Sequence, residues 1–315
     1  SEWRFSNDCA DVAEMRAPER GARAYGRMGA AVSGGVVLGP VMGGFLGDYD
    51  PRAPFWAAAA LSGAAFVYGA LILPESLAPE KRMRFSWRRA NPVGAMTLLG
   101  RHPELSGLAG VTFLLHFAHH VFSAVFVLYA QIRYGWGPKE VGLLLAMVGV
   151  LDMIMQGLVV GPVTRRLGDR KTMLFGLVGG TVGIALMGWA PNGWAFAAAM
   201  LPNALWGLAM PTLQSLMTRQ VSESEQGQLQ GATMSVASIA GVVSPLFFGW
   251  TYAMSVGGGF RPVTDRMTPI GLGALRELLD HPGLSFFIAA LVLLVAAAIG
   301  WVTARRAERA ESLTV

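Results

Sequence analysis

Charge is scarce in this chain. Only 14% of its 315 residues are Asp, Glu, Lys or Arg, where a globular protein carries about a quarter. That leaves too few charged side chains to cover the water-exposed surface of an ordinary soluble enzyme. Cysteine is nearly absent. Cys9 stands alone, so no disulfide framework can form within the chain. The opening stretch SEWRFSNDCADVAEMRAPERGAR is charged and has no apolar core, so it does not read as a secretory signal. Neither an H-E-x-x-H nor a G-x-S-x-G pattern occurs, which argues against the zinc-protease and serine-hydrolase classes and points away from an enzyme.

What is present is apolar. Hydrophobic residues make up 53% of the chain, and the mean hydropathy is +0.45. Eight windows reach the roughly 20 apolar residues that a bilayer span needs: 28–47, 54–73, 105–130, 141–163, 172–190, 194–217, 229–254 and 284–302. The sequence therefore predicts an all-α polytopic membrane protein. All 25 Lys and Arg fall outside these windows. They also alternate, 19 in the segments 1–27, 74–104, 164–171, 218–228 and 303–315 against 6 in the segments between. Basic loops stay in the cytoplasm, so both ends and the loop 74–104 are expected there. The sequence pI near 9.7 follows from these loops, and no nucleic-acid partner is implied. The connection 255–283, Gly-rich at its start, is expected to cap the outer face.

The stretch GGVVLGPVMGG, Gly34 to Gly44, holds five glycines and a proline. In water this composition breaks a helix. In lipid the backbone must satisfy its own hydrogen bonds, and the span stays helical. Gly35, Gly39 and Gly43 are four apart and form a bare stripe on which another helix can close, and Pro40 can kink the helix there. Simple close packing would also explain the stripe.

The order of these residues says more. G-x-x-x-G-P-x-x-G-G (Gly35, Gly39, Pro40, Gly43, Gly44) resembles the antiporter signature of helix five in drug/proton exporters of the major facilitator superfamily. GPVTRRLGDRK resembles the superfamily's basic loop motif and supplies Gly161, Arg165, Arg166, Gly168, Asp169, Arg170 and Lys171. Arg165 stands where the family usually has an acid. MPTLQSLMTRQVSESEQGQLQG (Met210 to Gly231), Ala10 to Gly26, and APFWAAAALSGAAFVYGALILPES (Ala53 to Ser76) resemble the tetracycline/multidrug proton antiporter branch. The resemblance covers roughly residues 9–256. It implies a fold of twelve helices in two halves of six, of which eight are present.

An internal repeat fits that reading. Gly26, Pro40 and Gly44 recur as Gly231, Pro245 and Gly249, each 205 residues on. The first two spans then correspond to helices five and six, and the first half would begin about 100 residues before Ser1. Residues 1–74 are expected to end the first half, 75–103 to form the central cytoplasmic loop, 104–304 to form the six-helix second half, and 305–315 to form a cytoplasmic tail. The repeat partner GVVSPLFFG (Gly241 to Gly249) keeps the proline and the last glycine but not the stripe.

Of 20 acids, Asp152 alone lies within a window. A carboxyl there is costly and is a functional candidate by default. It is the expected site of reversible protonation, with Gln156 at i+4 on the same face. HFAHH places His116, His119 and His120 near one face of the preceding span, and histidine titrates near neutral pH. One of them is expected to exchange protons or hydrogen bonds with Asp152. A metal site from these four is the less favoured option, so no metal or cofactor beyond the proton gradient is expected. LPNALWGLAMPTLQ offers Asn203, Trp206 and Gln214, an aromatic with amides that suits a flat, polar-edged organic substrate. The tetracycline branch carries an essential acid in the helix after the loop motif. Here that helix has none, and Gly179 and Gly180 occupy the region. This turns the expectation away from tetracycline itself and puts coupling at Asp152 or in the missing helices.

The resemblance therefore implies proton-coupled efflux of small organic compounds across a bacterial inner membrane by a monomer that alternates access. Two alternatives are a non-transporting truncated remnant and a carrier of an unrelated metabolite.

Overall fold

The computed structural model describes residue 35 and residues 37–72, 103–221, 225–259 and 277–314. The stretch from Ala10 to Gly26, the central loop up to residue 102 and the connection from 260 to 276 lie outside the described residues. So does most of the first apolar window before residue 37.

Among the described residues, eight long helices follow one another. α1 covers 37–49. α2 is Ala53–Ile72. α3 runs Pro103–Val121, passes through a π-helical turn at Phe122–Phe126 and ends as Val127–Tyr134. α4 runs Pro138–Ile154, takes a second π-helical turn at Met155–Val159 and ends as Val160–Leu167. α5 is Asp169–Trp189. α6 is Gly193–Ala204, a 3₁₀ segment Leu205–Leu208, and Ala209–Thr218. α7 is Gln226–Val256 and α8 is Leu284–Thr314. Seven of these, α2 to α8, are long and apolar enough to cross a membrane. The apolar windows from 54 onward each fall on one of them.

The breaks follow from local chemistry. Gly135 ends α3 at φ +67°, where its N–H bonds the Gln131 carbonyl, and Pro138 opens α4. A left-handed glycine and an N-terminal proline are standard helix punctuation. Gly168, at φ +78°, separates α4 from α5. The Asn192 side chain caps α6 by accepting from the Ala195 N–H at 2.9 Å. α8 continues past its apolar run through ARRAERAES, where Ala, Arg and Glu are strong helix formers. Residues 305–314 are thus helical.

The chain divides into two compact units, residues 1–86 with 137–150, and residues 87–136 with 151–315. In the first, α1 crosses the start of α4 backbone to backbone. A Cβ on Gly44 would lie 2.9 Å from Gly142 Cα and 2.9 Å from the Pro138 oxygen. Lys139 Nζ stands 5.6 Å above the Phe45 ring. α2 turns Phe55, Trp56, Phe66 and Leu71 outward.

In the second unit α8 lies against both α3 and α5, α7 lies against α3, and α6 against α5. Leu108, Val111, Met173, Leu177, Ile184 and Leu293 form its buried centre. Small residues set the spacing. A Cβ on Gly107 would strike Thr303, and one on Gly283 would strike the Gly188 backbone. Membrane helices gain contact this way because apolar burial alone does not favour helix over lipid. One end of the unit is closed by aromatics. Phe126 stacks on Phe196 at 5.6 Å, Tyr129 meets Phe286 at 5.0 Å, and Tyr134 donates to the Ala190 carbonyl at 2.9 Å.

Candidate functional site

The site is built around the irregular middle of α6. Pro202 lacks an N–H and loosens the helix there, and the next turn tightens to 3₁₀ at Leu205–Leu208. This segment rests on a ledge of glycines along α5. Cβ atoms on Gly176 and Gly179 would lie 2.9 Å from the Leu205 oxygen and 2.6 Å from Leu205 Cβ. A Cβ on Gly180 would lie 3.1 Å from Trp206 Cβ, and one on Gly183 would strike the Asn203 backbone. The spacing 176, 179, 180, 183 is one helix face, and it was readable in the sequence as a packing stripe. The region where the resemblance implies an acid is therefore filled by Leu205 and Trp206.

Trp206 is 6% exposed. The His119 ring stands against it at 5.4 Å between centroids with the planes 78° apart. On the neighbouring residue, Asp152 Oδ1 lies 3.7 Å and Met155 Cβ 3.4 Å from the position a Cβ would take on Gly207. His119 of α3, Trp206 and Gly207 of α6, and Asp152 of α4 thus form one chain of neighbours. Asp152 is half-buried and makes no hydrogen bond or ion pair among the described residues.

The three histidines do not act as one face. His116 Nδ1 bonds the Thr112 carbonyl at 2.9 Å, one turn back in its own helix. His120 Nδ1 pairs with Ser123 Oγ at 3.3 Å and points its Nε2 toward Gly241 of α7. His119 turns to Trp206 of α6, and none of the three hydrogen-bonds Asp152 among the described residues. The i, i+3, i+4 spacing covers an arc wide enough for α6 and α7 to divide it. Among the described residues no group of three metal-ligating side chains converges.

Gln156 also departs from expectation. It lies in the π-helical turn, exposed, while Met155 shares the Gly207 contact with Asp152. A turn closed by i→i+5 bonds carries more residues than an α turn, so i+4 no longer stacks on i. Asn203 Oδ1 and Gln214 Nε2 are buried without a hydrogen-bond partner among the described residues.

The loop motif forms a different structure. Asp169 starts α5 with 6% of its side chain exposed. It accepts from Ser215 Oγ at 2.9 Å and pairs with Arg219 Nη2 at 2.8 Å, tying α5 to the end of α6. Ser215 and Arg219 escaped the sequence reading because nothing in their spacing marks them as partners of a loop 46 residues away. Gly168 bonds back to Thr164 and accepts from Thr172. Gly161, Arg165, Arg166 and Lys171 are exposed, and Arg170 covers the Trp301 ring at 4.5 Å.

The antiporter glycines are reorganised as well. Cβ atoms on Gly35, Gly39 and Gly43 would meet nothing within 4 Å among the described residues. The close crossing runs instead along Pro40 and Gly44, which are also four apart and meet Gly142. The stripe and the contact lie on adjacent lines of the same helix, and spacing alone does not choose between them.

Apolar helices long enough to cross a membrane, packed on glycine ledges, with a single acid in the apolar windows, describe a polytopic membrane protein. The chain belongs to the Major Facilitator Superfamily, whose family model matches residues 10–245 and 108–314. It is 34% identical to the class C tetracycline resistance protein of Escherichia coli over 246 residues, which is 78% of this chain and 62% of that protein. It is also 34% identical to the class G tetracycline resistance protein of Vibrio anguillarum, over 75% of this chain and 60% of that one. Multidrug resistance protein 2 of Bacillus subtilis is 25% identical over 78% of this chain and 62% of its own length. The chain thus spans about three fifths of the length of the curated relatives it matches.

Proposed function

We propose that this chain belongs to a carrier that exports small organic compounds across the bacterial cytoplasmic membrane in exchange for protons, with both ends in the cytoplasm. Residues 104–304 would rock against the half that residues 1–74 complete, around a midplane site. The relatives named for tetracycline and multidrug resistance support an organic substrate. The observation that carries the reading is Asp152. It is the only acid in the apolar windows, and it has no partner among the described residues. It stands beside a segment that presents Trp206 and the unsatisfied amides Asn203 and Gln214. In this reading the carboxyl carries the proton, and the indole and amides meet a planar substrate with polar edges.

Everted membrane vesicles holding the chain test this. After acidification, a panel of planar organic compounds that includes tetracycline should release protons, read with a pH-sensitive dye. Asp152→Asn should abolish the release while insertion stays normal; full retention by this variant refutes the coupling role. The relatives' greater length supports a second reading, in which these 315 residues transport nothing alone. Correctly inserted protein with no response to any compound would favour it.

A further inference from the structure

α7 carries a proline in its interior, Pro245. Proline has no N–H, so the Gly241 carbonyl, four residues back, loses its α-helical donor. In a membrane, a carbonyl freed in this way is satisfied by another group nearby. The hydroxyls beside it on α7 are already committed. Ser244 Oγ donates to the Ala240 carbonyl at 2.5 Å, and Ser238 Oγ to the Met234 carbonyl at 2.8 Å. What α3 brings to this point is His120, whose Nε2 lies 3.3 Å from the position a Cβ would take on Gly241. A larger residue there would push the ring away, and glycine lets it come up to the α7 backbone.

The state of that nitrogen follows from the other side of the ring. Ser123, in the π-helical turn Phe122–Phe126, donates its one hydroxyl hydrogen to the His120 carbonyl at 3.1 Å. Its oxygen also lies 3.3 Å from His120 Nδ1. With its hydrogen committed, Ser123 Oγ can only accept from Nδ1, so Nδ1 carries the ring hydrogen. In the neutral imidazole Nε2 is then a bare lone pair. It has no hydrogen-bond partner among the described residues. An acceptor nitrogen thus faces a backbone that also lacks a donor, and what the contact is missing is a hydrogen. No charged residue competes for it from the neighbouring helices. α6 (Gly193–Thr218), α7 (Gln226–Val256) and the membrane-crossing part of α8 (Leu284–Thr303) hold no Asp, Glu, Lys or Arg. The titratable group of α7, Tyr252, is buried three turns further on. His116 bonds its own helix, His119 turns to Trp206, and Asp152 of α4 stands against Gly207 of α6. His120 is half-buried and Ser123 exposed, so the ring is open on one side.

We propose that the notch between His120 and Gly241 is a proton-binding site, separate from Asp152. Nε2 takes up a proton from the aqueous phase, and the new N–H donates to the Gly241 carbonyl that Pro245 frees. Protonated, the imidazolium ties α3 to α7 at the proline. Neutral, it leaves the two helices joined here by packing alone. The site does not rest on the coupling role of Asp152, because proton binding at His120 is read on the protein itself, without transport.

The test is heteronuclear NMR of the full chain in detergent micelles with isotope-labelled histidine. The His120 signals are those that His120→Gln removes. At alkaline pH the wild-type ring should carry hydrogen on Nδ1 alone, and Ser123→Ala should let it move to Nε2. On acidification Nε2 should take up a proton reversibly. Pro245→Ala returns an N–H to the Gly241 carbonyl and so takes the acceptor away. At the pH where half of the wild-type rings hold both hydrogens, only about a tenth should do so in this variant. Gly241→Val closes the notch, keeps Pro245 and should lower that fraction as well. His119, turned to α6, should keep its wild-type titration in Pro245→Ala. A wild-type ring with its hydrogen on Nε2 at alkaline pH overturns the proposal. So does an unchanged His120 fraction in either α7 variant, or a change at His119 that matches the one at His120.

Discussion

The imidazole of His119 stands edge-on to the indole of Trp206, 5.4 Å between centroids and 78° between planes. This contact joins α3 to α6 at the level of Asp152, and the same indole covers Gly180 of α5. Trp206→Ala removes the ring from both neighbours and should cost about 3–5 kcal/mol. Trp206→Phe keeps an aromatic face and should cost roughly half that or less. Thermal unfolding in detergent compares the two; equal losses would mean that the ring contact contributes nothing.

Gly44 and Gly39 sit on the same helix but face different surroundings. A Cβ at Gly44 would come within 2.9 Å of Gly142 Cα, whereas one at Gly39 meets nothing within 4 Å. Gly44→Ala should therefore destabilise by about 1–3 kcal/mol through overpacking. Gly39→Ala should be neutral or slightly stabilising, since alanine favours a helix. Folded yield by size exclusion distinguishes them, and the reverse order would restore the 35/39/43 stripe as the packing surface.

At the start of α5, Asp169 is buried while its partner Arg219 is 55% exposed. Losing the carboxylate strips Ser215 and Arg219 of an acceptor and removes a negative charge from a helix N-terminus. Asp169→Asn should cost about 1.5–3 kcal/mol and Ser215→Ala about 1 kcal/mol. Arg219→Gln should cost less than Asp169→Asn, because solvent compensates its exposed end. Urea titrations of the three variants give the order directly.

His281 lies just before the apolar run of α8, where its Nδ1 accepts from the Gly283 N–H at 2.9 Å. Burial first, and the positive Arg133 second, hold its pKa below the usual histidine value. The folded state thus favours neutral imidazole. Its stabilising effect is complete above the unfolded pKa of about 6.5. It is lost as pH falls from there through the lower folded value, because the unfolded chain takes up the proton more readily. Melting temperature should drop below about pH 6.5, and His281→Gln should flatten that drop. An unchanged slope in the variant would assign the pH effect to other groups.

Much of the architecture was legible as length and apolarity. The window 172–190 lies within one residue of Asp169–Trp189 at its far end, and 194–217 within one residue of Gly193–Thr218 at both ends. What could not be read was orientation. A helix that is apolar all round carries no polar face to mark which side packs. Hence Gly39 and Gly44 looked alike, and the HFAHH histidines shared a face on paper while α6 and α7 divide them in space. Asp152 was found because an acid in an apolar run is conspicuous whatever its neighbours. Its neighbour Gly207, and the Asp169–Ser215–Arg219 connection, depend on tertiary approach that no local spacing encodes.

The π-helical turn at Met155–Val159 has a genealogical side. Such a turn holds one more residue than the α turn it replaces, yet leaves the helix on either side in phase. A single codon inserted into a regular membrane helix would leave a turn of this kind. A family member that lacks the turn should align with a one-residue gap between Asp152 and Arg165. Deleting one residue within Met155–Val159 should give a regular helix with the flanking side chains still aimed as they are, which makes this turn the cheapest place in α4 for the chain to have changed length.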